Sequence, residues 1–134
     1  MASRREARRQ AIGVLYQADV TGADPRAVLE EWRATGREVD PFAERLVAGV
    51  AEHAGLIDET LAAHSEHWPL DRMASVDRVV LRLGVYELRF GGDDVPQAVA
   101  IDEAVRAVKE LSTEDSGAFV NGILGTVAAE REAG

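Results

Sequence analysis

Apolar residues recur along this chain at intervals of three and four, the spacing of helices that each bury one face. Ala7, Ala11, Val14, Leu15 and Ala18 fall in one arc of a wheel turning about 100° per residue, predicting a first helix from Ser3 to about Asp19. Arg4, Arg5, Arg8 and Arg9 fan across the adjoining flank together with Ile12 and Tyr16. Ser3 and Glu6 have capping-box spacing, and Val20-Thr21-Gly22-Ala23 ends the helix. Two Asp-Pro pairs, Asp24-Pro25 and Asp40-Pro41, each put an N-cap before a proline suited to the first turn. The first predicts a short helix through Trp32, closed by Gly36. The second predicts a long one striped by Phe42, Leu46, Val50, Ala54, Ile57 and Leu61, with Gly55 as the point of kinking or division.

Pro69 interrupts this pattern, and a short turn over 70–74 precedes a helix capped by Ser75. Val76, Val79, Val80, Leu83, Tyr86, Leu88 and Phe90 surround most of its circumference, which predicts the central element of a bundle. Gly91-Gly92-Asp93-Asp94 reads as a turn. Pro96 opens a helix through Leu111, and 112–114 start a last one bearing Phe119, Val120, Ile123, Leu124 and Val127. No alternating run or hairpin turn competes. The expected fold is therefore all-α, a single-domain bundle of about seven helices over residues 1–134, without internal repeats.

Composition narrows the function classes. A chain of 134 residues, 46% hydrophobic and 29% charged, suits a globular domain. Without cysteine there is no disulfide, zinc ribbon or thiol chemistry, which fits a reducing cytoplasm. No apolar run approaches the roughly 18 residues of a membrane span, and no signal-peptide core is present. Aromatics at 5% disfavour a broad stacking platform. Charge, however, is uneven. The chain has a net charge of -9, yet residues 1–11 hold four arginines against one acid, and the remainder holds 11 basic and 23 acidic residues. Such a segment is either a solvated face or a site for an anion.

Nothing in the sequence points to catalysis or to a cofactor. His53, His64 and His67 lack the further ligands of a metal site, although His64 and His67 stand three apart on a helix, and they read as solvated or capping side chains. Asp93-Asp94 reads as a turn pair. Gly117 and Gly122 bracket Ala-Phe-Val-Asn with no Lys-Ser/Thr following, so there is no phosphate-binding loop. Ser116 sits in no nucleophile-elbow motif. Asn121-Gly122 reads as a point of close helix packing. A binding protein remains.

Four ordered blocks then carry a resemblance. Glu114-Asp115-Ser116-Gly117-Ala118-Phe119-Val120-Asn121-Gly122-Ile123-Leu124 is similar to the signature of the NusB family of transcription antitermination factors. Residues 4–16 agree in order and spacing. So do Val76-Asp77-Arg78-Val79-Val80-Leu81-Arg82 with Tyr86-Glu87-Leu88, and Val95-Pro96 leading to Ala100-Ile101-Asp102-Glu103-Ala104-Val105. The resemblance implies a small helical fold, no enzymatic activity, and binding of boxA RNA jointly with the ribosomal protein NusE in an antitermination complex on RNA polymerase. It places Asp115 and Phe119 on the RNA surface, and Tyr16 and Asp77, with Arg82 and Glu87 as weaker candidates, against NusE.

The residues have a physical counterpart to each role. Arg4, Arg5, Arg8 and Arg9 can hold phosphates and stack on unpaired bases, with a salt slope of about -2.8 if all four act on a single strand. Asp115 and Phe119 share a helix face, where Phe119 is either a stacking ring or a core anchor, and Asp115 either a base contact or a first-turn acid. Tyr16 is either an interface aromatic or a partly buried one. Asp77 also suits a helix N-terminus, and Arg78 with Arg82 reads as a solvated face. Ala118 stands where many members carry a basic residue, and Glu6 interrupts the arginines. Both shift weight onto NusE or onto dimerisation. Two other readings stay open. One is an RNA-docking domain like the N-terminal part of certain ribosomal RNA cytosine methyltransferases, disfavoured because no glycine-rich cofactor segment is present. The other is a homodimeric interaction bundle that hides the arginines.

Overall fold

The computed structural model describes residues 3–65, 67–92 and 95–133, with the side chains of 131–133 excepted. The described residues form seven α-helices and one short 3-10 turn, joined by short connections: α1 (Arg4–Thr21), α2 (Pro25–Ala34), α3 (Pro41–Glu52), α4 (Ala54–His64), the turn Leu70–Arg72, α5 (Ser75–Phe90), α6 (Gln97–Leu111) and α7 (Glu114–Ala133). The expected all-α bundle of about seven helices is what forms. The turn assigned to Asp93-Asp94 lies outside the described residues.

Local chemistry accounts for most of the boundaries. The Ser3 hydroxyl accepts from the Glu6 amide at 3.1 Å. Asp24 and Asp40 accept from the Arg26 and Phe42 amides at 2.8 Å, each ahead of its proline. Gly22 ends α1 in the left-handed region, φ 74°, where a side chain would be strained. Ser75 does not cap α5. It is the first helical residue, Ala74 precedes it, and its oxygen accepts from Arg78 at 3.3 Å instead.

The long helix expected after Asp40 is divided, but at His53 rather than at Gly55. His53 leaves helical geometry, with φ -103° and ψ 17°, and its ring lies on Phe90 with centroids 3.9 Å apart and planes 6° from parallel. That stack holds the corner, after which α4 turns Ile57 and Leu61 into the core. His64 ends α4, so His64 and His67 do not share a helix.

α5 is the central element and packs against α1, α3, α4, α6 and α7. Val79, Val80, Leu81, Val85 and Leu88 are essentially sequestered along it. Gly49 of α3 is required by this packing: a Cβ there would sit 2.2 Å from the Tyr86 ring. The predicted inner face of α1, Ala7, Ala11, Val14, Leu15 and Ala18, is buried throughout. Among the described residues, no helix is long and apolar enough to cross a membrane.

Candidate RNA and partner surface

The N-terminal half of α1 meets α5 and α6, and its four arginines part company there. Arg8 is 7% exposed and Glu87 of α5 is 5% exposed. The Arg8 guanidinium donates Nε and Nη2 to the two Glu87 oxygens at 2.9 Å each, a bidentate pair inside the fold. The wheel puts Arg8 and Ile12 on the flank adjoining the inner face, and the fold buries both. The cause is angular: Arg8 stands one heptad before Leu15, about 20° away on the wheel, at the margin of the inner arc. Neither Arg8 nor Glu87 is displayed for a ligand.

The other three remain outside. Arg5 donates Nε and Nη2 to Glu103 at 3.1 and 2.9 Å, and Arg9 reaches Glu110 at 2.7 Å. Glu103 and Glu110 are seven apart on α6, so one face of α6 runs beside the arginine face of α1. Glu103 is held below the ordinary carboxylate range, chiefly by the Arg5 hydrogen bond, against an opposing effect of burial. Arg4 lies over the Phe42 ring at 4.3 Å. The result is a cationic edge, partly neutralised by acids that an anion would have to displace.

At the other end of α1, Asp19 accepts from Arg78 Nε and Nη2 at 3.2 and 2.5 Å and from Arg82 Nη1 at 3.0 Å. Arg82 also grips Asp58 of α4 through Nε and Nη2 at 2.8 and 3.1 Å. Arg78 and Arg82 are thus cross-links between helices and not the solvated face that their spacing suggested. Burial pushes the Asp19 carboxyl up, but the hydrogen bonds and charges of the two arginines prevail and hold it below its ordinary 3.8. A carboxyl lowered by folding contributes stability above its unfolded value and loses it as pH falls toward the folded one. Asp19→Asn is therefore expected to be less stable at pH 6 and to lose less of its urea midpoint between pH 6 and 3 than the native chain. Parallel losses in the two proteins would contradict this.

Asp77, in the first turn of α5, is 9% exposed. Its Oδ2 accepts from the Ser116 hydroxyl of α7 at 2.9 Å, while its buried Oδ1 has no partner. Beside this junction α7 presents Asp115 and Ala118 to solvent, and Phe119 is half-buried against the core.

A model of the NusB family matches residues 5–129. The chain belongs to the NusB family. Transcription antitermination protein NusB of Saccharopolyspora erythraea is 51% identical over 131 residues, covering 96% of this chain and 88% of that protein. Among solved structures, T. maritima NusB superimposes with a TM-score of 0.85 at 38% identity, covering 96% of this chain and 92% of that one. A chain from a crystal structure of antitermination factors NusB and NusE in complex with dsRNA gives a TM-score of 0.82 at 30% identity, covering 95% and 96%.

In this NusB-family chain the candidate residues divide between exposed positions and internal ion pairs. Arg4, Arg5 and Arg9 share the α1 edge, and Tyr16, 43% exposed, lies further along the same helix. Asp115 and Phe119 open α7. Arg82 and Glu87 are committed to internal ion pairs. Gly122 is exposed, with open space where a Cβ would project, which corrects the expectation of close packing at Asn121-Gly122. Sequence reading also missed Glu103 and Glu110 as partners of the arginines. Their seven-residue spacing against the Arg5–Arg9 step is the signal of two helices side by side. Among the described residues no group of three or more His, Asp or Glu is placed to hold a metal. His64 instead meets Glu130 at 2.8 Å and Thr126 at 3.1 Å.

Proposed function

We propose that this chain is a transcription antitermination factor that binds boxA RNA jointly with NusE, within an antitermination complex on RNA polymerase in the cytoplasm. The observation that carries the reading is the cationic edge of α1 on an otherwise acidic chain, in a fold matching a NusB that was crystallised with NusE and dsRNA. Arg4, Arg5 and Arg9 contact phosphates, Phe119 stacks on an unpaired base, and Asp115 accepts from a base amino group. Tyr16 supplies an exposed aromatic anchor for NusE, and Asp77 shapes that surface from beneath through Ser116. Arg8 and Glu87 act by holding α1 on α5. With three phosphate contacts in place of four, the salt slope expected for the chain alone falls to about -2.1.

Three contacts make a weak site, and two of them compete with Glu103 and Glu110. A partner that extends the RNA surface raises affinity by making the second contact intramolecular. Titration of labelled boxA RNA is accordingly expected to show weak binding by the chain and binding tighter by at least about a hundredfold when NusE is present. Absence of binding in both arms would refute the reading and favour a bundle that interacts with proteins alone.

A further inference from the structure

At the N-terminal end of α1 the Phe42 ring gathers three guanidinium groups. Arg4 lies 4.3 Å from its centroid, and Arg8 and Arg45 each lie 5.4 Å away. Arg8 is neutralised by Glu87. Arg4 and Arg45 have no carboxylate partner among the described residues, in a chain with 24 acids that pairs Arg5, Arg9 and Arg33. The surroundings of Arg45 explain this. Pro41, Phe42, Ala48 and Gly49, its neighbours at three and four residues, carry no charge, and the adjacent Glu44 is taken by Arg33 at 2.8 Å.

The same corner is aromatic. His53 and Phe90 stack with centroids 3.9 Å apart, Tyr86 lies 6.2 Å from both, and Phe90 remains 36% exposed. Phe42, Arg45, Tyr86, Phe90 and Val95 line a cavity of about 160 Å³ there. Val95 also borders a wider cavity of about 560 Å³ that contains Arg4 and Arg5. The two spaces adjoin along the arginine edge. Unpaired cations beside one exposed ring, Phe90, backed by the half-buried Phe42 and Tyr86, supply what single-stranded RNA requires, the cations for phosphates and the ring for a base.

We propose that RNA held on the arginine edge continues past Arg4 across Phe42 and Arg45 to Phe90, so that this corner is a second subsite for single-stranded RNA flanking boxA. The inference rests on the RNA-binding function proposed above. Arg4 lies at the junction and serves both stretches. Arg45 takes a phosphate, and a base stacks at Phe90 beside His53.

The test compares boxA RNA with the same RNA extended by four uridines at either end, titrated against the chain with NusE. One extended RNA is expected to bind roughly tenfold tighter than boxA alone. Arg45→Glu and Phe90→Ala should each remove that gain while leaving boxA alone within about twofold. Arg45→Glu should also flatten the salt slope of the extended RNA by about 0.7 or more. Arg45 is exposed, so its variant carries the test even if Phe90→Ala disturbs the His53 stack. No gain from either extension, or a gain that survives Arg45→Glu, would overturn the proposal. So would weaker NusE binding by Arg45→Glu without RNA, which would make the corner a protein surface. Failure of boxA alone to bind would instead remove the underlying function, and this subsite with it.

Discussion

Arg8→Ala is expected to destabilise the protein by about 3–5 kcal/mol, the cost of breaking a buried ion pair by removing one partner. Glu87 would be left as a carboxylate 5% exposed, deprived of two hydrogen bonds of 2.9 Å. For a chain of this length the loss corresponds to a fall of roughly 12–20 °C in Tm. Arg8 also packs near Phe42, so lost contact adds to lost charge. Removing both charges separates these effects. Arg8→Met with Glu87→Leu leaves no orphaned ion and should recover most of the stability, since such replacements are often neutral or better. Urea and thermal unfolding of the three proteins would check this. A loss below about 1 kcal/mol for Arg8→Ala would mean that the pair behaves like a surface bridge.

The second large effect concerns RNA. Arg5→Glu with Arg9→Glu removes two phosphate contacts, lowering the salt slope by about 1.4 and weakening boxA binding by more than about tenfold near physiological salt. The stability cost should stay at about 1 kcal/mol per bridge, because Arg5 and Arg9 are partly exposed, even though the reversal sets like charges against Glu103 and Glu110. Glu103→Gln with Glu110→Gln is the informative counterpart. It frees both guanidinium groups from competitors, so affinity should rise. Filter binding or anisotropy across a salt series would measure both variants. Affinity unchanged by the arginine reversal would remove α1 from the RNA surface.

These two predictions concern neighbouring arginines with opposite roles, and the difference shows what was legible beforehand. The inner face of α1, the aspartate caps of α2 and α3, and the central place of α5 could all be read from the chain. They depend on spacing, proline and short-range hydrogen bonds, which act over a few residues. Local pattern puts the break at Gly55, whereas it falls at His53, whose ring stacks on Phe90 far along the chain. Arg78 and Arg82 looked solvated because Asp19 and Asp58 are distant in sequence. Asn121-Gly122 reads locally as a packing point, yet no atom comes within 4 Å of where a Gly122 Cβ would project.

By itself the sequence determined the helices, their buried faces, the family blocks and the presence of a cationic segment on an acidic chain. Each follows from periodicity or composition, which need no knowledge of what packs where. Only the tertiary structure decided which arginine is a strut and which are available. That choice turns on where Glu87, Glu103 and Glu110 arrive from other helices and on the place of Arg4 at the very start of α1. Ion pairing acts over a few ångströms in space, across 79 residues of chain in the case of Arg8 and Glu87, so local pattern could not assign it.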